Sequence, residues 1–165
     1  MILVRRLITI ASLSLMVQMP QTASADGESQ MMLVPSDQLS GYWVLSESQA
    51  AEYPKKAMRS NTQGCVAIGF VIGSDGTTSN YRSIAFAPSE VFTESAIEAT
   101  SSHRYRPAEG NQAKQPVFTY RVFTYRFQLD TGENDEAKRK LLGEVCESAA
   151  PEFFQNLAAG TQGAK

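Results

Sequence analysis

The chain has one histidine and two cysteines in 165 residues, and these scarcities exclude most site chemistry. A nucleophilic triad needs a base close to its serine, and His103, at the end of a predicted amphipathic helix beside Arg104, reads as a surface or helix-end residue. Cys65 and Cys146 are too far apart for metal-ligand spacing, and a single His leaves them without the usual partners. No Gly-x-Ser-x-Gly elbow and no phosphate-cradling glycine loop is present. A reactive thiol favours a Cys-x-x-Cys motif or a helix start, whereas Cys146 falls near the end of its predicted helix. The paired carboxylates Asp135 and Glu136 have a simpler role in a first helical turn. Nothing in the residues argues for an enzyme, a cofactor or a metal.

Charge of one sign is also missing. Fifteen Lys and Arg against seventeen Asp and Glu leave no basic excess for nucleic acid or anionic lipid. After residue 25 no apolar run is long enough to cross a bilayer.

What is present starts at the N-terminus. Arg5 and Arg6 precede the mostly apolar run Leu7–Met19, then Pro20 and Ala23-Ser24-Ala25. This order is that of a cleavable signal peptide over residues 1–25. An uncleaved anchor is the alternative, but thirteen helical residues reach about 20 Å against a bilayer core of about 30 Å. The expected mature chain starts at Asp26, has 165 − 25 = 140 residues and carries 13 − 17 = −4 charges once Arg5 and Arg6 are gone. That length suits one core. In an exported chain the two cysteines are expected to pair as a disulfide, with two buried thiols as the alternative.

Residues 26–52 open on a polar stretch and show no clean period, and Tyr42–Leu45 reads equally as a short strand or a packed loop. A short helix is predicted over 50–60, with Pro54 near its first turn. The clearest strand follows, with Val66, Ile68, Phe70 and Ile72 on a bulky face and Cys65, Ala67, Gly69 and Val71 on another. Asp75-Gly76 marks a hairpin returning through Thr77–Phe86. Ser89 is a candidate N-cap for a helix over 90–104 with Phe92, Ala96 and Ala99 on its buried stripe. Pro107 to Gln115 reads as a loop.

Val117–Leu129 is a long aromatic and β-branched strand containing Val-Phe-Thr-Tyr-Arg twice, at 117–121 and 122–126. Five is odd, so equivalent residues face opposite sides unless a bulge intervenes. A last helix is predicted from a cap at Asn134 to about Ala149, with Ala137, Leu141, Val145 and Ala149 on one side and Pro151 ending it. The fold class is α+β, a small antiparallel sheet with helices on it.

From Tyr53-Pro54 the sequence resembles the C-terminal domain of the TonB family of energy transducers. The resemblance runs through Gly64-Cys65-Val66, Phe70, Asp75-Gly76, Phe92, Ala96, Ala99, Arg104-Tyr105-Arg106-Pro107, Pro116-Val117, Phe127 and Leu129. It covers residues 53–129 and gives the division into leader 1–25, N-terminal segment 26–52, TonB-like domain 53–130 and helical extension 131–165. It implies a three-stranded antiparallel sheet with helices on one face and a periplasmic location. It also implies pairing of the last strand with an extended segment of an outer-membrane receptor. The chain departs from a full transducer in its cleavable leader, in the single proline, Pro35, of Asp26–Glu52, in His103 where the family usually has Trp, and in the extension after residue 131.

Two readings follow. One is a binding module that accepts a protein or peptide segment, such as one from an outer-membrane TonB-dependent receptor, on the edge of the last strand. Phe118, Thr119, Tyr120, Arg121, Val122, Thr124 and Arg126 are its expected partner-binding residues, with Phe123 and Phe127 assigned to the core. The other is a structural or assembly protein whose edge is closed by its own extension or by a second copy. No nucleic acid, no cofactor and no membrane insertion after leader cleavage are expected, and a homodimer is left open.

Overall fold

The computed structural model describes residues 31–127 and 133–162, with side chains of the last helix described at 140 and 143–159. The proposed leader and the start at Asp26 lie outside these residues.

The centre is β3 (Gly64–Ile72), every residue of which is buried. Complete burial of a nine-residue strand requires cover on both faces, and the alternation of bulky and small residues sets what covers each. The Asp75-Gly76 turn returns the chain into β4 (Thr78–Ala87), antiparallel to β3. Gly76 has φ +79°, and its carbonyl accepts a 2.9 Å bond from the Tyr105 N–H. A Cβ there would strike the Tyr105 carbonyl oxygen, so glycine is needed for both the turn and the close approach.

On the other side of β3 lies β6 (Val117–Tyr125), antiparallel and in unbroken register from Gly64↔Tyr125 to Ile72↔Val117. The tandem therefore contains no bulge. Phe118 and Tyr120 face one layer while Phe123 and Tyr125 face the other.

The sheet has four strands rather than three. β1 (Met32–Leu33) pairs in parallel with Val117 and Phe118, giving the order β1-β6-β3-β4. Two residues cannot display a period of two, which is why the segment showed none. A separate antiparallel ribbon joins β2 (Trp43–Glu47) to β5 (Arg104–Pro107). Tyr42–Leu45 thus enters a strand from Trp43 onward, and Arg104–Pro107 is a strand rather than a helix end and loop. Trp43 is buried, its Nε1–H donating to the Gln115 carbonyl at 3.0 Å.

The bulky face of β3 is covered by α1 (Lys55–Arg59), a 3-10 turn at Glu90–Phe92 and α2 (Thr93–Ser102). Ala57, Phe92 and Ala96 pack on Val66 and Ile68. Ser89 makes no capping hydrogen bond, and the first turn after it is 3-10 rather than α. The small face is covered by α3 (Glu133–Gln162), so helices lie on both faces rather than one.

α3 continues through Pro151 instead of ending near Ala149. Its buried stripe, Cys146, Ala150 and Phe154 at spacings of four, runs past the proline onto Ala67, Val71, Phe118 and Tyr120. Val145, expected on that stripe, is 43% exposed; the side chains of Ala137, Leu141 and Leu142 lie outside the described set. Cys65 and Cys146 form a disulfide with Cα atoms 6.1 Å apart.

Candidate functional site

Backbone direction along β6 defines the site. Met32 donates to the Pro116 carbonyl at 3.2 Å and Val34 to the Phe118 carbonyl at 2.9 Å. Even-numbered residues of β6 therefore aim their N–H and C=O outward, and odd-numbered ones aim them at β3. β1 ends at Leu33, and Pro35, which has no N–H to offer, follows. Beyond that point Tyr120, Val122 and Thr124 face outward with no strand opposite them among the described residues.

The edge expected to be open over all of β6 is thus occupied at Val117 and Phe118 and unpaired further along. The N-terminal segment closes it at Val117 and Phe118. The C-terminal extension takes a sheet face, not the edge.

The side chains expected to meet a partner divide accordingly. Phe118 and Tyr120 already pack on Phe154 of α3, with ring centroids 5.3 Å and 4.9 Å away. Both are buried, so their rings are walls rather than free contacts. Thr119 is fully buried and its backbone belongs to the β3 ladder. Val122 is half-buried against the α3 layer, whereas Arg121, Thr124 and Arg126 are exposed. Phe123 and Phe127, assigned to the core, are half-buried, Phe123 against the Val66–Ile68 cluster.

Arg121 lies on the ribbon side of the sheet, its guanidinium carbon 5.7 Å from the Phe123 ring centroid. No carboxylate pairs with it among the described residues. His103 sits just behind, at the C-terminal end of α2 as expected but only 1% exposed. Its ring lies 6.5 Å from Phe123 and 6.3 Å from Tyr105. Burial, and then the charge of Arg121, lower its pKa to about 4, so it is neutral at pH 7. Its Nδ1 has no hydrogen-bond partner among the described residues. Burial raises the Tyr105 hydroxyl, opposed by Arg121.

Depressions flank the open edge on both faces, and Tyr120 lines each. One, of about 450 Å³, lies toward the ribbon at Trp43, Leu45, Phe70 and Tyr105. The other, of about 530 Å³, lies between the Leu33–Gln38 segment and Pro151, Phe154 and Ala158 of α3. A larger depression of about 830 Å³ lies between α1 and the start of α2, and none of its lining residues belongs to a strand. Among the described residues no three His, Cys, Asp or Glu side chains are placed to hold a metal ion. No helix of theirs is long and apolar enough to cross a membrane.

Sequence reasoning missed Trp43, Tyr105 and Phe154 as walls of this site. Arg104-Tyr105-Arg106 does carry a strand signal, since the two arginines are exposed and the tyrosine between them is buried, but three residues are too few to register.

The class defined here is an α+β sheet module, helices on both faces, in which the described residues leave part of β6 and the outer side of β4 without a neighbouring strand. Residues 49–129 match the family model described as Gram-negative bacterial TonB protein C-terminal, and that stretch is a domain of the TonB C-terminal family. Domains of this family are non-enzymatic transducer and interaction modules. Among solved structures, the solution NMR structure of the Pseudomonas aeruginosa TonB C-terminal domain matches at 17% identity with a TM-score of 0.48. The match covers 58% of this chain and 95% of that one. No curated protein matches the chain.

Proposed function

We propose that this chain is a periplasmic binding module that takes an extended protein segment onto β6 at Tyr120–Thr124, accessory to TonB-dependent transport across the outer membrane. The observation that carries this reading is the run of outward backbone groups at Tyr120, Val122 and Thr124, which β1 leaves unpaired. An extended segment satisfies such groups by main-chain bonds and is held by its backbone first. TonB-like domains interact with proteins such as outer-membrane receptors, which supports a protein as the partner. The leader-like residues 1–25 and the Cys65–Cys146 bond both suit an exported chain.

The self-capped structural reading draws on one observation, the pairing of β1 with Val117 and Phe118. A photo-crosslinking residue at Thr124, used in intact cells, is expected to trap a partner that Thr124→Pro loses, since the proline removes an outward donor. If Thr124→Pro folds normally and the same partner is captured from a neighbouring crosslinking position at undiminished yield, the edge is not the site. The self-capped reading then replaces this one.

A further inference from the structure

We infer that α3 and the β2–β5 ribbon form the two walls of the β6 slot and select an extended segment with two successive apolar residues followed by an acidic one. This inference rests on the strand-addition reading and supplies the partner chemistry for it.

Successive side chains of a strand point to opposite faces. A segment laid along Tyr120–Thr124 therefore sends one side chain toward the ribbon and the next toward α3. On the ribbon side the wall is Trp43, Leu45, Phe70 and Tyr105, around a space of about 450 Å³. Those rings and aliphatic groups suit one large apolar side chain. On the opposite side, Leu33, Pro35, Pro151 and Phe154 border about 530 Å³. The polar side chains that also line it, Asp37, Gln38 and Gln155, are exposed and stay hydrated, so an aliphatic side chain against the two prolines and Phe154 strands no polar group.

The third residue returns to the ribbon side, where Arg121 is exposed and pairs with no carboxylate among the described residues. His103 behind it is neutral at pH 7, so Arg121 is the charge that a segment meets there. An acidic side chain completes the site at that position. The α3 wall lies wholly beyond residue 129, where the family match ends, so this selectivity belongs to the extension of this chain.

The test is fluorescence anisotropy with the disulfide-bonded protein and the blocked peptide Ser-Thr-Leu-Val-Glu-Thr-Ser. Replacing the peptide Leu or Val by Ser is expected to weaken binding about tenfold each, the scale of one buried aliphatic side chain. Replacing its Glu by Lys is also expected to weaken binding, by about fivefold, and Arg121→Glu should restore that peptide while weakening the parent. Ala158→Glu, placing a carboxylate in the α3 wall, should weaken the parent peptide about tenfold and leave the Val-to-Ser peptide unchanged.

If Thr124→Pro abolishes binding while Ala158→Glu and Arg121→Glu change nothing, the selectivity inference is wrong and the edge reading stands. If the peptide binds and Thr124→Pro has no effect, both are wrong. Absence of binding up to about 1 mM peptide, below about 4 kcal/mol of affinity, overturns the selectivity inference, and cross-linking from Thr124 still judges the edge.

Discussion

The two faces of β3 are closed by opposite means. The face of Val66, Ile68, Phe70 and Ile72 supplies its own bulk and meets α1, α2 and the β2–β5 ribbon, with Val117 and Tyr125 of β6 beside it. The face of Cys65, Ala67, Gly69 and Val71 supplies little bulk. It takes rings from β6 and α3 and is fixed to α3 by a bond spanning 81 residues. Gly69 makes that borrowing possible: a Cβ there would come within 2.7 Å of Phe118 Cζ and 3.0 Å of Ile84 Cδ1. Where a strand brings its own volume, packing holds the layer; where it leaves room, a ring from elsewhere and a covalent tie hold it.

The largest test of this contrast is on the self-sufficient face. Phe70→Ala is expected to cost about 3–5 kcal/mol, read as a lowered urea midpoint, because its fully buried ring leaves a cavity. Next comes the tie. Cys146→Ser paired with Cys65→Ser is expected to cost about 2–4 kcal/mol, mostly by freeing the unfolded chain. The unfolded, unreduced wild-type protein should show no titratable thiol. A loss from the cysteine pair larger than that from Phe70→Ala would reverse the contrast and make the tethered face the stronger support.

A third measurement concerns pH. His103 is expected to bind protons less readily in the folded state, at about 4 against 6.5 for an ordinary imidazole. Below 6.5 the unfolded chain gains a proton that the folded one refuses, so stability is full above that value and falls as pH drops toward 4. The loss is expected to reach at most about 3 kcal/mol. His103→Phe, which keeps a ring against Phe123 and Tyr105, should flatten this part of the urea-midpoint profile; an unchanged slope would assign it to other groups. The smallest effect is at the point of borrowing, where Gly69→Ala is expected to cost about 1–2 kcal/mol by crowding Phe118. If the variant is as stable as wild type, Phe118 has room to move and the glycine is not what admits it.

The parts of the fold legible in the sequence are those whose signal is local or strictly periodic. β3 announced both faces by alternation, Asp75-Gly76 announced the hairpin, and the small face containing Cys65 announced that a distant element would dock there. That element docks with Cys146, Ala150 and Phe154 rather than with Val145, and Pro151, an ordinary helix breaker, hides the second half of that stripe in the sequence. β1 and β5 were illegible because strands of two and four residues have no period to detect. For the site, the strand was found but its backbone parity was not. Thr119 and Thr124 look alike in the tandem, yet only Thr124 faces outward, and that depends on which strand sits on which side. His103 looked like a surface residue because a lone imidazole beside Arg104 carries no mark of the rings that enclose it.

The tandem in β6 has a consequence for how the chain finds its pairing. If β6 slid by five residues along β3, Val122 to Arg126 would enter the places of Val117 to Arg121, and every side chain in those five places would be of the same kind. Half the strand thus carries no information about its own alignment. The choice is left to Pro116 before the repeat and to the places after its first copy, where the slide would put Asp130 in place of Tyr125, whose ring stacks 4.4 Å from Phe92. The slid alignment would set a carboxylate against Phe92, so Tyr125 fixes the register as well as filling the core.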